Sequence, residues 1–442
     1  MDRVKNKHLS SSQIIIFGFL GAILLGTLLL MLPISSTSGK VTPFSDSLFT
    51  ATSAVCVTGL VVHDTATYWS MFGQFVIMLL IQVGGLGVVT IAVATAMISG
   101  RKIGLMQRST MQEAISAPKV GGIVKLTSII LKITFLIELV GAALMSIVFC
   151  RDFGVKGIWL AVFHSVSAFC NAGFDLMGTI SPFSSLTSYQ TEPIINIVVM
   201  FLIVVGGIGF LVWEDIVTNK FHFKKYRLHS KVVLSTTIFL IVAPAVLFYF
   251  YEFNELSDSE RVLTSIFQAV TPRTAGFNTV DLSKFSSIGQ TVMIILMLIG
   301  GSSGSTAGGM KTTTVAVLFF SAVSVFRKKD SAECYGRRIA DSAVKNAAAI
   351  LLMYLVLFLA GGLIISGIEN LPLLDCLYES ASAVGTVGLT LGLTPTLGQV
   401  SRGILMVLMF FGRVGGLTLV FATLSKSNPN ISKKTQEKII VG

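Results

Sequence analysis

The chain has 442 residues, of which 53% are hydrophobic and only 12% charged, with a formal net charge of +11. A soluble globular chain carries roughly a quarter charged residues, so there is too little polar sequence here to cover the apolar part. These figures exclude an ordinary soluble enzyme or binding module and place the chain in a membrane.

The first apolar run, Ile14–Leu32, is long enough to span a bilayer, which needs about 20 residues. It is longer than a signal-peptide core, and no small-x-small cleavage pattern follows at Leu32-Pro33-Ile34, so it reads as a retained span. Further apolar runs follow in pairs, near 71–97, 124–149, 194–218, 231–251, 288–326, 343–367 and 401–424. Between the pairs the chain is basic: Arg101, Lys102, Arg108, Lys119 and Lys125; then Lys220, Lys224, Lys225, Arg227 and Lys231; then Arg327, Lys328, Lys329, Arg337, Arg338 and Lys345. Arg3, Lys5 and Lys7 precede the first span, and Lys426, Lys433, Lys434 and Lys438 follow the last. The alternating segments are neutral or acidic. The positive-inside rule therefore puts both termini and the three basic loops in the cytoplasm. Charge dispersed in this way does not predict a nucleic-acid partner. The five cysteines, Cys56, Cys150, Cys170, Cys334 and Cys376, have neither CxxC nor zinc spacing.

Within each pair of spans lies a short related segment: SLFTATSAVCVTGL, AVFHSVSAFCNAGF, SIFQAVTPRTAGFN and CLYESASAVGTVGL. An aromatic residue precedes a glycine by ten positions in three of them, Phe49 to Gly59, Phe163 to Gly173 and Tyr378 to Gly388, and by nine in Phe267 to Gly276. The glycines recur at intervals of 114, 103 and 112 residues. The chain thus divides into four repeats, A (1–98), B (99–220), C (221–328) and D (329–442). Each reads as span, short half-span, glycine loop, span. A half-span such as 44–55, with Ser45 and Asp46 at cap positions, is about 18 Å long and cannot cross a bilayer. The expected fold is an all-α membrane protein with eight transmembrane helices and four re-entrant half-helices around a central pore. Irregular backbone at membrane depth is tolerated where it lines an aqueous path or is buried in protein. In repeat C the second run is interrupted by GGSSGSTAGG, so that helix is expected to break near 300–310.

Four half-helices would aim the negative ends of their dipoles at one point, and glycine at the turn frees the backbone carbonyls to face inward. The aligned segments are Val57-Thr58-Gly59, Asn171-Ala172-Gly173, Thr274-Ala275-Gly276 and Thr386-Val387-Gly388. None holds a carboxylate, which points to main-chain coordination of a monovalent cation rather than a divalent site. Each copy has one glycine where a TVGYG filter has two, which predicts fewer coordination rings.

The chain resembles the Trk/Ktr/HKT superfamily of potassium transporters of bacteria, fungi and plants, and most closely the KtrB-type membrane subunit of bacterial Ktr potassium-uptake systems. The resemblance rests on MLPIS (31–35), VTGL (57–60), IQVGGLG (81–87), FCNAGF (169–174), QAVTPRTAGFN (268–278), GTVGLTLGLTP (385–395) and FFGRVGGLT (410–418). It covers essentially the whole chain. It implies channel-like K+ uptake across the bacterial cytoplasmic membrane, a homodimer with one pore per protomer, and a cytosolic RCK-type regulatory ring (KtrA-like) that binds ATP or ADP. It implies filter glycines at Gly59, Gly173, Gly276 and Gly388, Na+ as a candidate stimulator, and no organic cofactor.

The resemblance also implies an intramembrane gating loop at Gly300, Gly301, Ser302, Ser303, Gly304, Ser305, Thr306, Ala307, Gly308 and Gly309. The residues agree, since glycines and serines supply mobility and hydrogen bonds for the broken helix ends. The stretch is not a nucleotide P-loop: Met310 separates Gly309 from Lys311, and no strand precedes it. Arg413 lies within the last apolar run, where a charge is functional by default. The resemblance places it below the filter, opposing cation entry and holding the loop; the alternative is structural pairing with a carbonyl or with Glu138. Lys311 faces either the inner pore or solvent and lipid. His63 and His164 read as packing residues, and Glu138 and Lys132 receive no role. The competing class is a sodium-coupled symporter built on broken helices; only one second-span helix is visibly broken in the sequence, which favours a channel. A membrane-embedded enzyme lacks a convergent acid, base, nucleophile or metal set.

Overall fold

The computed structural model describes residues 10–99, 103–115, 121–220, 222–416 and 418. Arg101, Lys102 and Lys119, and the basic residues of the two ends from Arg3 to Lys7 and from Lys426 to Lys438, fall outside them. The described chain is mostly helical, and one order of elements occurs four times. Each repeat begins with an outer helix long and apolar enough to cross a membrane: Ser11–Met31, Ile123–Phe153, Leu228–Tyr251 and Asp341–Glu369. A short pore helix follows: Phe44–Val55, Lys156–Phe169, Asp258–Val270 and Leu373–Gly385. At 12, 14, 13 and 13 residues these measure about 18–21 Å, well short of a bilayer. After an irregular segment comes the inner helix: Met71–Leu86, Pro193–Gly207, Ser287–Leu298 and Gln399–Val414.

The first pore helix starts one residue after Pro43, not at a cap formed by Ser45 or Asp46. Asp46 lies inside the first turn, where its carboxylate meets His63 at 2.9 Å and Arg402 at 3.2 Å. The dipole still favours an acid there.

The aromatic residue of each repeat signature is fully buried: Phe49 0%, Phe163 0%, Phe267 0% and Tyr378 1% exposed. The outer helices instead expose large apolar side chains, among them Leu24, Leu28, Phe135, Leu139, Phe239, Leu352 and Val356. Helices that are apolar on all sides belong in lipid, and the outer helices turn such side chains outward.

The inner helices depart from the sequence expectation. That of repeat A turns by 96° between Met71–Leu86 and Val88–Met97, and that of repeat B by 98° between Pro193–Gly207 and Phe210–Asn219. The single broken helix expected in repeat C is therefore one of several. The hinges are Gly87 (φ +86°) and Gly209 (φ +96°), and Gly415 (φ +87°) ends the last inner helix in the same way. Positive φ is open to glycine at little cost and interrupts the helical hydrogen-bond ladder.

Candidate cation pathway

The four signature glycines form a closed ring. A Cβ built on Gly59 would strike the Ala172 carbonyl oxygen and lie 3.1 Å from the Cα of Gly173. One on Gly173 would lie 2.8 Å from the Ala275 oxygen and 2.9 Å from the Cα of Gly276. One on Gly276 would strike the Val387 oxygen, and one on Gly388 the Thr58 oxygen, which returns the circuit to repeat A. Repeats A, B, C and D thus meet head to tail around one axis. No side chain fits between them.

Each segment alternates backbone hand. Val57, Asn171, Thr274 and Thr386 have φ of 57°, 59°, 66° and 51°, and the glycines two residues later have φ of 92°, 68°, 82° and 93°. In an extended strand successive carbonyls point to opposite sides, and inverting every second residue brings them to one side. The amides point back toward the pore helices: Thr58 N–H donates to Ser53 O at 2.8 Å, Ala172 N–H to Ser167 O at 2.8 Å, Ala275 N–H to Thr271 O at 3.0 Å and Val387 N–H to Ser382 O at 2.8 Å. Among the described residues no hydrogen bond ends on a main-chain carbonyl oxygen of these four segments. The carbonyls are left for the axis. The hydroxyls of Thr58, Thr274 and Thr386 are buried without a hydrogen-bond partner. Buried oxygens without hydrogen-bond partners suit a dehydrated cation better than a neutral occupant.

Two sets of supporting residues escaped the sequence reading. Four positions after each aromatic stands a hydroxyl: Ser53, Ser167, Thr271 and Ser382. Ser53 Oγ accepts from Gly59 N–H at 3.1 Å and Ser382 Oγ from Gly388 N–H at 3.0 Å. Ser167 and Thr271 instead donate to the carbonyls of Phe174 and Phe277, just past their glycines. One position after the aromatic, three repeats have a buried polar group that holds the segment beyond the ring glycine. His164 Nε2 accepts from Leu176 N–H at 3.3 Å, Gln268 donates to Thr279 at 3.4 Å, and Glu379 accepts from Leu391 N–H at 3.2 Å and Thr394 at 2.7 Å. The signal was the coincidence of polar residues at fixed offsets inside apolar helices. His164 is a latch in this sense, and His63, stacked on Tyr68 at 4.0 Å, braces Asp46.

A third set is glycine. Gly84, Gly206 and Gly412 stand where a Cβ would strike the carbonyl of Val55, Phe169 or Val384, each four residues before a ring glycine. The next residue is Gly85, Gly207 or Arg413. Arg413 thus replaces a glycine of the common pattern and reaches out from it.

The Gly300–Gly309 segment leaves and rejoins its helix at one point, since Gly300 N–H donates to Met310 O at 2.8 Å and Thr312 N–H to Gly301 O at 3.0 Å. Between these ends it loops beneath the glycine ring. Ser302 N–H donates to Gly207 O at 2.9 Å, Thr306 N–H to Gly206 O at 3.2 Å and Gly309 N–H to Gly412 O at 3.1 Å. Thr306 Oγ1 bonds Asn171 Oδ1 at 3.1 Å, a Cβ on Gly308 would strike Thr386 Oγ1, and one on Gly300 would lie 3.2 Å from Thr274 Cγ2. The loop therefore abuts the glycine-loop segments of repeats B, C and D. Ser303 and Ser305 bond within the loop region, to Thr313 at 3.2 Å and to Ser302 O at 2.7 Å.

Two cations border the loop. Lys311 Nζ donates to Ala307 O at 2.7 Å and Gly308 O at 3.1 Å. Arg413 donates to the carbonyls of Thr306 and Gly84, and to Gly85 O at 3.0 Å. Among the described residues Arg413 has no carboxylate partner. Glu138 is engaged elsewhere, accepting from Gln82 at 3.0 and 3.3 Å. Both cations line a cavity of about 290 Å³ with Gly85, Ser305 and Gly309.

Residues 6–433 match the family model described as "TrkH: Cation transport protein". The chain is 43% identical over 454 residues to the "Potassium/sodium uptake protein NtpJ" of Enterococcus hirae, covering 100% of this chain and 99% of that one. It is 39% identical over 435 residues to the "Ktr system potassium uptake protein B" of Bacillus subtilis (97% and 96%), and 33% identical over 440 residues to that of Vibrio alginolyticus (97% and 94%). The fold matches the crystal structure of the potassium transporter TrkH from Vibrio parahaemolyticus with TM-score 0.75 at 19% identity, over 96% of this chain and 87% of that one. With a family match along nearly its whole length and its axis ringed by four glycines, the chain belongs to the TrkH family of cation transport proteins, membrane transporters rather than enzymes.

Proposed function

We propose that the chain takes up K+ through a channel-like pore. Val57-Thr58-Gly59, Asn171-Ala172-Gly173, Thr274-Ala275-Gly276 and Thr386-Val387-Gly388 form its filter, and Gly300–Gly309, Lys311 and Arg413 its gate. The single observation that supports this most is the closed glycine circuit with its unbonded carbonyl oxygens. A ring of carbonyls replaces the hydration shell of a monovalent cation. Relatives named for potassium uptake support K+ as the ion. The quarter-units 1–98, 99–220, 221–328 and 329–442 each supply one filter segment. In this reading both termini and the gate face the cytoplasm and the filter faces outward. The protein works as a homodimer within membrane lipid, and a cytosolic RCK-type ring that binds ATP or ADP shifts the loop; the "Ktr system" names of the relatives support a multi-component assembly.

A sodium-coupled symporter is the second reading. The hinges at Gly87 and Gly209 favour it, because broken helices are common in coupled carriers. The relative named "Potassium/sodium uptake protein" is consistent with a role for Na+. The test is K+ uptake in a potassium-auxotrophic host, with and without a cytosolic regulatory subunit. Growth rescue with flux indifferent to an imposed Na+ gradient supports the channel. Fixed Na+:K+ stoichiometry supports the symporter, and no rescue under either condition defeats both.

A further inference from the structure

After the hinge at Gly209 the inner helix of repeat B leaves its neighbour. Pro193–Gly207 packs against the outer helix Ile123–Phe153, and Phe210–Asn219 then turns by 98°. Between that bent half and the start of the outer helix lies a cavity of about 690 Å³. One face of the outer helix supplies Lys125, Ile129 and Ile133 to it, and one face of the bent half supplies Phe210, Glu214 and Val217, each set at helical spacing. Ile129 is 40% and Val217 66% exposed, so the cavity opens on the outside of the bundle. From Lys125 to Ile133 its wall runs about 12 Å along the helix and passes from charged to apolar.

The rim carries surplus positive charge. Arg227 also lines the cavity and is met by Glu214 at 2.8 Å and Asp215 at 3.5 Å. Lys125 has no carboxylate partner among the described residues. Neither have Lys220, Lys224 and Lys225, which lie in sequence between the bent half and Arg227.

The same bent half holds the Gly300–Gly309 loop. Phe210 N–H donates to Gly304 O at 2.7 Å, and a Cβ on Gly209 would lie 2.8 Å from Ser303 O. Phe210 lines this cavity and also the one beside Lys311 and Arg413. An occupant of the 690 Å³ cavity therefore touches the residue that holds the loop.

We propose that this cavity holds one anionic phospholipid of the cytoplasmic leaflet, its phosphate at Lys125 and Arg227 and an acyl chain along Ile129 and Ile133. An apolar wedge open to the outside of a membrane-spanning chain meets acyl chains, and basic pockets between spans on the cytoplasmic side select anionic headgroups. The lipid binds the bent arrangement, in which Phe210 is bonded to the loop. Its occupancy therefore favours the loop position beneath the glycine ring and lowers flux. The effect on flux rests on the gate reading above; the binding rests on the cavity and its charge.

The test begins with native mass spectrometry of the full-length protein in detergent, titrated with phosphatidylglycerol or phosphatidylcholine. The parent is expected to retain one phosphatidylglycerol in preference to phosphatidylcholine. Lys125→Glu should weaken that retention by about tenfold. Ile129→Trp, which fills the wedge, should displace the lipid, and Val217→Trp does the same from the opposite wall if the first variant fails to insert. Rb+ efflux is then compared in phosphatidylcholine proteoliposomes with and without phosphatidylglycerol. The anionic lipid should slow efflux several-fold in the parent and not in the variants; its surface potential acts on all of them alike, so the difference reads the site. Equal phosphatidylglycerol retention by the parent and Lys125→Glu overturns the site. So does lipid retained unchanged by the tryptophan variants, and if these also split a homodimer, the face belongs to a second copy. Lost retention with the same efflux response as the parent overturns the coupling to the loop. Absent Rb+ efflux from the parent in every lipid defeats the transport reading instead, and the retention data still decide the site.

Discussion

The guanidinium of Arg413, in the last inner helix, donates to the main-chain carbonyl of Thr306 at the middle of the repeat C loop, while its other nitrogen holds the carbonyls of Gly84 and Gly85 in repeat A. One side chain thus ties the loop to a hinge region more than two hundred residues away in sequence. It does so from a position where repeats A and B have glycine. In the proposed function its charge would repel a cation leaving the ring as well as anchor the loop.

Arg413→Gln keeps bulk and one donor but removes the charge and the three-way grip. A hydrogen bond to a charged group contributes about 1.5–3 kcal/mol, so the loop's displaced population should rise by about tenfold or more. The expected outcome is higher K+ flux in the absence of the cytosolic ring, read as faster Rb+ efflux from loaded proteoliposomes. Unaltered flux in a correctly inserted protein would show that Arg413 does not hold the barrier.

Removing residues 301–309 should be tolerated, because Gly300 and Met310 already meet through a 2.8 Å hydrogen bond. The helix ends are close enough to be joined with little movement. The variant is expected to assemble, to run as the parent does in size-exclusion chromatography, and to conduct K+ without regulation. Loss of uptake from a folded protein would mean that the loop supports the pore instead of closing it.

Gly388→Ser places a Cβ against the Thr58 carbonyl at a φ of 93° that L-residues rarely adopt. The ring cannot keep four equivalent oxygens around that collision. K+ over Na+ preference, measured by competition in uptake assays, should fall by about tenfold, the equivalent of 1.4 kcal/mol. Ion preference identical to the parent would remove Gly388 from the filter.

Ser382→Ala leaves the Gly388 N–H buried without its acceptor, at a cost of about 1–3 kcal/mol. Ser53→Ala does the same to Gly59. Each is expected to lower thermal stability in detergent and to loosen K+ selectivity. Ser382→Thr, which keeps the hydroxyl, should restore the selectivity if the cavity accepts the methyl group. Preserved selectivity in both alanine variants would show that the amide finds another acceptor and that the hydroxyl is dispensable.

Some of this architecture is legible in the chain because backbone demands leave a compositional trace. A residue with positive φ and no room for a Cβ is glycine in nearly every case, so Gly59, Gly173, Gly276 and Gly388 announce themselves through their spacing. Half-spans are legible by length alone. The hinges at Gly87 and Gly209 were present in the same sense, as VGGLG and VGGIG, but a glycine in an apolar run reads equally well as a helix-packing contact. Only the 96° and 98° bends distinguish the two.

Membrane residence, the repeated quarter-unit and the position of each ring glycine follow from sequence alone, since hydropathy, period and absent side chains are local properties. Tertiary structure alone decided what Arg413 grips, that Glu138 turns to Gln82, and that Ser53 and Ser382 hold the ring amides. A polar group inside an apolar fold takes whichever partner packing brings within about 3 Å, and those partners are set by how four distant segments close into one circuit.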